Sequence, residues 1–397
     1  MLPRVKIKFE NGALAQRVPS PDGVLGMLLT GTAVENKFAL ATPYTLRSLA
    51  GLNDLGITAA NNPHIHKVLS QFYREAGEGN EVWLMAFAAT VKASEMLDQD
   101  EPHGKLLINA AAGRLRGLVV SRDPGASYVP VITKGLDADL LPAMQNGQLL
   151  GEWAADQKFA PLFVILEGYA YNGKAIDLTD LTTHQYNRVS VMIGDTVPGS
   201  KFSAVGLLAG RLAKVPVHVN IAKVKDDALS TTAAFVGNES VEVADVESIH
   251  NKGYITMRSY VGRSGYYFND DFTATLISDD YNHLTARRTI DKAYRIAYDS
   301  LLEELMSELP VNADGSLQTA MIKSWQIKVE NAIAGEMTAR GELSADVTDN
   351  NDKGVICFID SNQNILSSST LNVSIRIRPF GYPRYIDVYL GFQVIGN

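Results

Sequence analysis

The final stretch of the chain, residues 371–394, reads LNVSIRIRPFGYPRYIDVYLGFQV, and its alternation leaves little choice of backbone. Leu371, Val373, Ile375 and Ile377 fall on one side of an extended chain, with Asn372, Ser374, Arg376 and Arg378 on the other. After Pro379 to Arg384 the pattern restarts, setting Ile386, Val388, Leu390, Phe392 and Val394 against Tyr385, Asp387, Tyr389 and Gln393. Successive side chains of a strand point to opposite faces, so a strict period of two marks a half-buried β-strand. The opening residues repeat the device. Val5, Ile7 and Phe9 alternate with Arg4, Lys6, Lys8 and Glu10 ahead of an Asn11-Gly12 turn. Both ends of the chain are therefore predicted to be strands.

A terminal strand with one apolar face has to complete a sheet, in its own chain or in another. Pro379 and Pro383 deny the connector two ladder donors and favour an extended spacer over a tight hairpin. Residues 17–23, RVPSPDG, have the composition of a hinge behind the first strand. On the residues alone two arrangements stay open: a hairpin that finishes its own domain's sheet, or arms held out to neighbouring copies.

A chain of 397 residues can bury more than one core, and two domains are expected. Its net charge of −8 excludes the broad basic surface that general nucleic-acid binding requires. The terminal strands are nevertheless basic, with Arg4, Lys6, Lys8, Arg376, Arg378 and Arg384 against Glu10 and Asp387. Such ends suit docking onto an acidic body, and they equally suit guarding a strand edge. The single cysteine, Cys357 in GVICFID, rules out an intrachain disulfide framework and reads as a small core residue. No signal peptide is read at the start, and GVLGMLLTG is too short to span a bilayer, so a soluble chain made inside the cell is expected.

Taken in order, GVLGMLLTGTA reads as a buried strand, ATPYTLRSLAGLNDLGI as a helix starting near Pro43, and PHIHKVLSQFYREAGEG as an amphipathic helix on Ile65, Val68, Leu69 and Phe72. EVWLMAFA is a strand, and the alternation continues through a helix near residues 138–150, PLFVILEGYA, RVSVMIGD, SAVGLLAGRLAKV and YITMRSYVG. Short apolar strands alternating with helices predict an α/β body, a mixed sheet flanked by helices. Residues 284–306 predict a long helix with Ile290, Tyr294, Ala297, Leu301 and Leu305 as its buried stripe. Its charges run against the helix dipole, with Arg287, Arg288, Lys292 and Arg295 early and Glu303, Glu304 and Glu308 late, which suggests service to a partner. A second helix follows on Leu317, Met321, Trp325, Val329 and Ile333, with Ser316 as its N-cap. Two helices and a run of strands make a C-terminal α+β assembly domain. The expected division is an arm at 1–20, an outer body at 21–255, an inner assembly domain at 256–378 and a second arm at 379–397, with extended strands at both ends.

Motifs with catalytic overtones fail on their chemistry. Gly168 to Ala175, GYAYNGKA, has the glycines and Lys174 of a phosphate loop, but alanine stands where a hydroxyl would hold magnesium. Asp349 to Asp360 tracks a calcium loop until Lys353 puts a cation at a ligand position. His64 and His66 lie two apart, on different sides of a helix, and read as surface histidines at its start. Ser264 lacks the spacing of a nucleophile elbow, and the pairs Asp270-Asp271 and Asp279-Asp280 read as loop acids. No catalytic residue, metal site or cofactor is expected.

The order of segments resembles the tail sheath protein of contractile phages and related contractile injection systems. The matching pieces are GVLGMLLTGTA, TPYTLRSLAGLNDLGI, HKVLSQFYREAGEGNEVWLM, KFSAVGLLAGRLAKVPVHVNIA, GYITMRSYVGRSGYYFNDDFTAT, the Arg-Arg helix DYNHLTARRTIDKAYRIAYDSLLEEL and the closing strand, proline, strand. FNDDFTAT stands where such sheaths carry Trp-Gly-Arg-Thr. The resemblance implies a non-enzymatic virion or injection-particle subunit, assembled in the bacterial cytoplasm as stacked hexameric rings around an inner tail tube, with baseplate and tail terminator proteins as partners. It implies exchange of terminal strands, carried here by Val5, Ile7, Phe9, Ile386, Val388, Leu390 and Phe392, with Arg287, Arg288 and Arg295 facing the tube or a neighbour. It implies neither nucleic-acid binding nor insertion into a membrane. Two alternatives remain: a nucleotide-using α/β enzyme centred on Lys174, and another self-assembling tube or shell protein.

Overall fold

The computed structural model describes residues 21–349 and 351–391. The predicted strand residues Val5, Ile7 and Phe9, and Phe392 of the last strand, lie outside them. The chain forms two compact units, one ending at Tyr298 and the other beginning at Asp299.

The first unit is built on six strands: β1 (Leu25–Thr30), β2 (Tyr44–Leu46), β3 (Val82–Phe87), β4 (Gly117–Ser121), β5 (Phe163–Glu167) and β6 (Val189–Met192). They lie in the order β2-β3-β1-β4-β5-β6. Every pair is parallel except β2 with β3. All residues of β1, β4 and β5 are buried, as a sheet covered on both faces demands, which is why these strands are continuous apolar runs. Coverage comes from α1 (Pro63–Ala76), α2 (Pro102–Ala110), α3 (Leu140–Lys158) and α4 (Val205–Lys214), and the chain later runs into α5 (Leu284–Leu302). The predicted stripe of α1 is buried as expected. The helix expected from Pro43 is not: Tyr44–Leu46 pairs with Val82–Leu84 at the sheet edge, and helix is confined to Ala50–Asp54.

The expected orientation of α5 is met only in part. Of the predicted stripe Ala297 is buried, Ile290 and Leu301 are half-buried, and Tyr294 and Leu305 are exposed, while the charged Arg287, Arg288, Asp291 and Lys292 are buried with Ala293 and Ile296. Lys292 donates to Asp22 at 2.6 Å, Arg287 to Asp291 at 2.6 Å, and Arg288 to the carbonyls of Leu212 and Val215, both at 2.9 Å. Arg188 reaches Asp291 at 3.3 Å, and Arg295 reaches the carbonyl of Pro161 at 3.2 Å. Buried charges are tolerated when each meets a counter-charge or a carbonyl, and α5 supplies the cations for its surroundings. These contacts hold α5 to the body, and the first compact unit ends at Tyr298.

In the second unit, α6 (Thr319–Glu336) packs on a hairpin of β7 (Val355–Ile359) and β8 (Val373–Ile377). Trp325, Val329 and Ile333 of the helix are buried, as are Val355, Cys357 and Ile359 of β7, Cys357 as the core residue expected. Ser316 does not cap α6. The N-cap position is Gln318, and the Ser316 hydroxyl donates to Asp314.

Candidate assembly surface

β7 is apolar on both faces, and only one is covered. Ile356 is 64% exposed and Phe358 59%, on the side away from α6. A strand bears such residues outward when its second face belongs to an interface. The Cys357 amide donates to Glu330 Oε1 at 3.0 Å, so one edge of the hairpin is engaged by a side chain. Among the described residues, β8 has no strand beyond β7, and its other edge is open to pairing. Val373, Ile375 and Ile377 alternate with exposed Ser374 and Arg376, matching the sequence pattern.

Beyond Pro379 the chain leaves the hairpin without regular structure as far as Gly391. Tyr385, Ile386, Val388, Tyr389 and Leu390 are all at least three-quarters exposed. The strand predicted for this segment is therefore not formed within the chain's described residues. A strand exists by pairing, and five large apolar or aromatic side chains in water lack the partner that would order them.

Arg287 and Arg288, expected to face a tube or neighbour, are buried in the first unit, and Arg295 is largely covered. The expectation of an outward role is corrected by the buried carboxylates and carbonyls that α5 neutralises. His64 is corrected too, since it is buried at the head of α1. Ser121 Oγ lies 3.0 Å from His64 Nε2 and donates to Glu167 Oε2 at 2.9 Å. Glu167 also accepts from the amides of Ser203 at 2.8 Å and Arg122 at 3.1 Å. Burial pushes the His64 imidazole down to about 4 and the Glu167 carboxyl up to about 8. These are the residue types of a hydrolytic triad in the wrong order, since the serine, not the histidine, sits between its partners. The adjoining cavity, lined in part by Arg122, Asp137, Glu167 and Tyr169, holds about 30 Å3, space for water and not for a substrate. The cluster pins β4, β5, α1 and the segment before α4 together.

Asp270, Asp271 and His283 form a second buried group that sequence reading did not connect, with His283 Nδ1 3.1 Å from Asp271. Asp271 accepts the Thr285 amide at 2.7 Å and both aspartates accept from Asn220 at 2.8 Å. The group holds the first turn of α5. Asp279 likewise holds its own turn, accepting the Tyr281 amide at 2.7 Å. Lys174 is exposed, on a turn where its amide meets Asn172, and Gly168 is set by packing, since an added Cβ would lie 2.8 Å from the Met192 carbonyl. In the stretch that imitates a calcium loop, Asp352 pairs with Arg378 and Lys353 with Glu330. Ser264 is exposed and offers its carbonyl to the Tyr267 hydroxyl. Among the described residues no helix is long and apolar enough to cross a membrane.

Comparison with solved structures identifies the fold. A chain of the anti-feeding prophage baseplate superposes with a TM-score of 0.65 at 12% identity, covering 99% of both chains. A chain of the PVC sheath complex of an extracellular contractile injection system, in the contracted state, gives 0.60 at 14% identity over 99% of this chain and 98% of that one. The contracted helical sheath of the anti-feeding prophage gives 0.60 at 15% identity over 99% of both. The fold is thus that of the sheath proteins of contractile injection systems, as the order of segments suggested. No curated protein matches the sequence. The family described as DUF2586, N-terminal domain, matches residues 2–272, and its C-terminal domain matches residues 280–397. Nearly the whole chain is accounted for by these two domains, and it belongs to the DUF2586 family.

Proposed function

We propose that this chain is the structural subunit of a contractile sheath. It polymerises as stacked hexameric rings around an inner tube, linked by exchange of its terminal strands, and its contraction drives the tube through a target envelope. Baseplate and terminator proteins bound the polymer, which assembles in the bacterial cytoplasm and ends as part of a phage tail or injection particle. The observation that carries the reading is the exposed apolar segment Tyr385–Leu390 in a unit whose β8 edge is open. Strand addition supplies backbone hydrogen bonds for affinity and alternate side chains for register, and both requirements are met by that pair. Likeness of fold to contracted sheaths over the full length supports it. A head-to-tail link that does not close on itself yields a helical sleeve.

Deleting residues 384–397 tests the reading directly. The truncated chain is expected to keep its far-ultraviolet dichroism and melting transition while negative-stain images show dispersed particles instead of striated hollow cylinders. Cylinders as abundant as those of the full chain would remove strand exchange as the link.

A further inference from the structure

The outward face of the β7–β8 hairpin carries an uncommitted cation. Ile356 and Phe358 of β7 lie opposite Arg376 and Ser374 of β8, so these four side chains share the face turned away from α6. Just past the strand Arg378 pairs with Asp352. Arg376, two residues earlier on the same face, is exposed and meets no opposite charge among the described residues. The arm that follows has the matching sign. Within residues 384–397 the sole acidic side chain is Asp387, exposed and likewise without a counter-charge among the described residues. It stands between Tyr385 and Tyr389 on one side of the predicted strand, with Ile386, Val388 and Leu390 on the other.

Opposed residues of neighbouring strands point to the same face of a sheet, so a strand laid on the open edge of β8 has two choices of face. In one, Ile386, Val388 and Leu390 join Val373, Ile375 and Ile377 on the side that α6 covers, where Val373 packs against Leu317, Ile322, Trp325 and Ile359. The other turns Asp387 toward that apolar cluster, where an unpaired carboxylate is strongly penalised. Steps of two residues then remain. The Arg378 amide donates to Gly354 on the β7 side, so Val373, Ile375 and Ile377 turn their amides and carbonyls to the open edge. An antiparallel arm with Asp387 opposite Arg376 sets Ile386 on Ile377, Val388 on Ile375 and Leu390 on Val373, which fills every apolar position of β8. Tyr389 then falls opposite Ser374, whose small side chain leaves the ring free to reach Phe358. A parallel arm wastes Leu390 on Pro379, beyond the strand. A slip of two residues one way sets Asp387 on Arg378, which Asp352 already holds, and a slip the other way sets Arg384 on Ile377.

We propose that Arg376 and Asp387 form the ion pair that sets the register of the exchanged strand, with the arm of one copy lying antiparallel on β8 of a second. The inference rests on the assembly reading and adds to it which residues meet. Apolar pairs on the covered side supply affinity, and the ion pair on the outward side selects one register among those that the apolar alternation permits.

The test uses the full-length chain and reads register by disulfide capture. Opposed residues of a non-hydrogen-bonded antiparallel pair have Cα atoms about 4.5 Å apart, within disulfide reach. Mild oxidation of assembled Arg376→Cys/Asp387→Cys protein is expected to give a ladder of linked multimers on a non-reducing gel. The slipped pairs Arg378→Cys/Asp387→Cys and Ser374→Cys/Asp387→Cys should give little, and the wild-type chain, with Cys357 buried, none. Charge is read by the concentration at which cylinders sediment and appear in negative stain. Arg376→Glu and Asp387→Lys, both at exposed positions and expected to keep the wild-type melting transition, should each raise that concentration about fivefold. The swapped Arg376→Glu/Asp387→Lys chain restores opposite charges at every contact and should assemble near the wild-type concentration. A ladder from a slipped pair in preference, or none from any pair although cylinders form, overturns the register and leaves the assembly reading standing. Reversed variants that assemble like wild type, or a swap that restores nothing, overturn the ion pair. A disulfide closed within one chain, or a wild-type chain that does not assemble, overturns the register together with strand exchange.

Discussion

His64 and Glu167 meet the same hydroxyl, yet burial acts on them in opposite directions because one is charged when protonated and the other when deprotonated. His64, held down at about 4, stays neutral in the folded chain while an unfolded histidine charges near 6.5. Its contribution to stability is present above pH 6.5 and is lost as pH falls toward 4, on the order of 3 kcal/mol across the window. Glu167, raised to about 8, keeps its proton where an unfolded glutamate has released it. Folding is therefore favoured most below pH 4.5, and this contribution is lost as pH rises to 8. Urea melts of two variants separate the opposing slopes. His64→Gln should flatten the fall in stability between pH 6.5 and 4, and Glu167→Gln should flatten the fall between pH 5 and 8. Neither residue was legible as buried from sequence. A histidine at the start of a helix next to an asparagine and a proline has the local signature of a surface position, and only the Ser121 hydroxyl arriving from β4, 57 positions away, makes burial tolerable.

At the scale of elements, α1 and α4 show how much of a packing contact sequence can declare. The stripe Ile65, Val68, Leu69 and Phe72 was readable as a buried face, and SAVGLLAGRLAKV as a small-residue segment, but not that the two helices meet. They approach so closely that a Cβ on Gly206 would lie 2.1 Å from the Val68 carbonyl and one on Gly210 2.7 Å from that of Phe72. At such a seam the helix axes are set by backbone contact, and no rotamer change relieves an added methyl. Buried Arg211, its Nε 2.6 Å from Glu75 Oε1, closes the seam by tying the ends of the two helices together. Gly206→Ala should cost about 1–3 kcal/mol through overpacking, read as a lower melting temperature. Arg211→Met should cost more, because Glu75 is then left charged and buried, and that loss should shrink in the Glu75→Gln/Arg211→Met double variant. The buried cations of α5 have the same origin. Periodicity predicted the apolar stripe Ile290, Tyr294, Ala297, Leu301 and Leu305, of which Ala297 is buried, but the surroundings offered Asp22 and the carbonyls of Leu212, Val215 and Pro161, and the cations went inward to meet them. Hydrophobic pattern decides burial only where the opposing surface is itself apolar.

For the molecule as a whole, the alternation of Leu371 to Val394 divides in two. Its first half forms β8 and pairs with β7, while the described part of its second half stays exposed, although the two halves read equally well as strands. What separates them is the supply of partners, and the proposal of exchange follows from that inequality. It has a consequence that truncation alone does not test. In a head-to-tail polymer each subunit both donates an arm and accepts one. A chain lacking residues 384–397 donates no C-terminal arm yet keeps β7, β8 and the open edge, so it can accept an arm from a full-length copy and pass none onward. Added to wild-type protein below equal proportion, it should act as a terminator, shortening cylinders progressively as its share rises while leaving their diameter unchanged. The same truncation combined with Ile375→Pro, which places a proline in β8 of the hairpin, should lose this effect, because the truncated chain then neither gives nor receives. Cylinder lengths from negative-stain images, measured across a titration, decide the matter. Lengths that ignore the truncated chain at every ratio would mean that the exposed segment links nothing, and the hydrophobic residues Ile386, Val388 and Leu390 would then require a different partner.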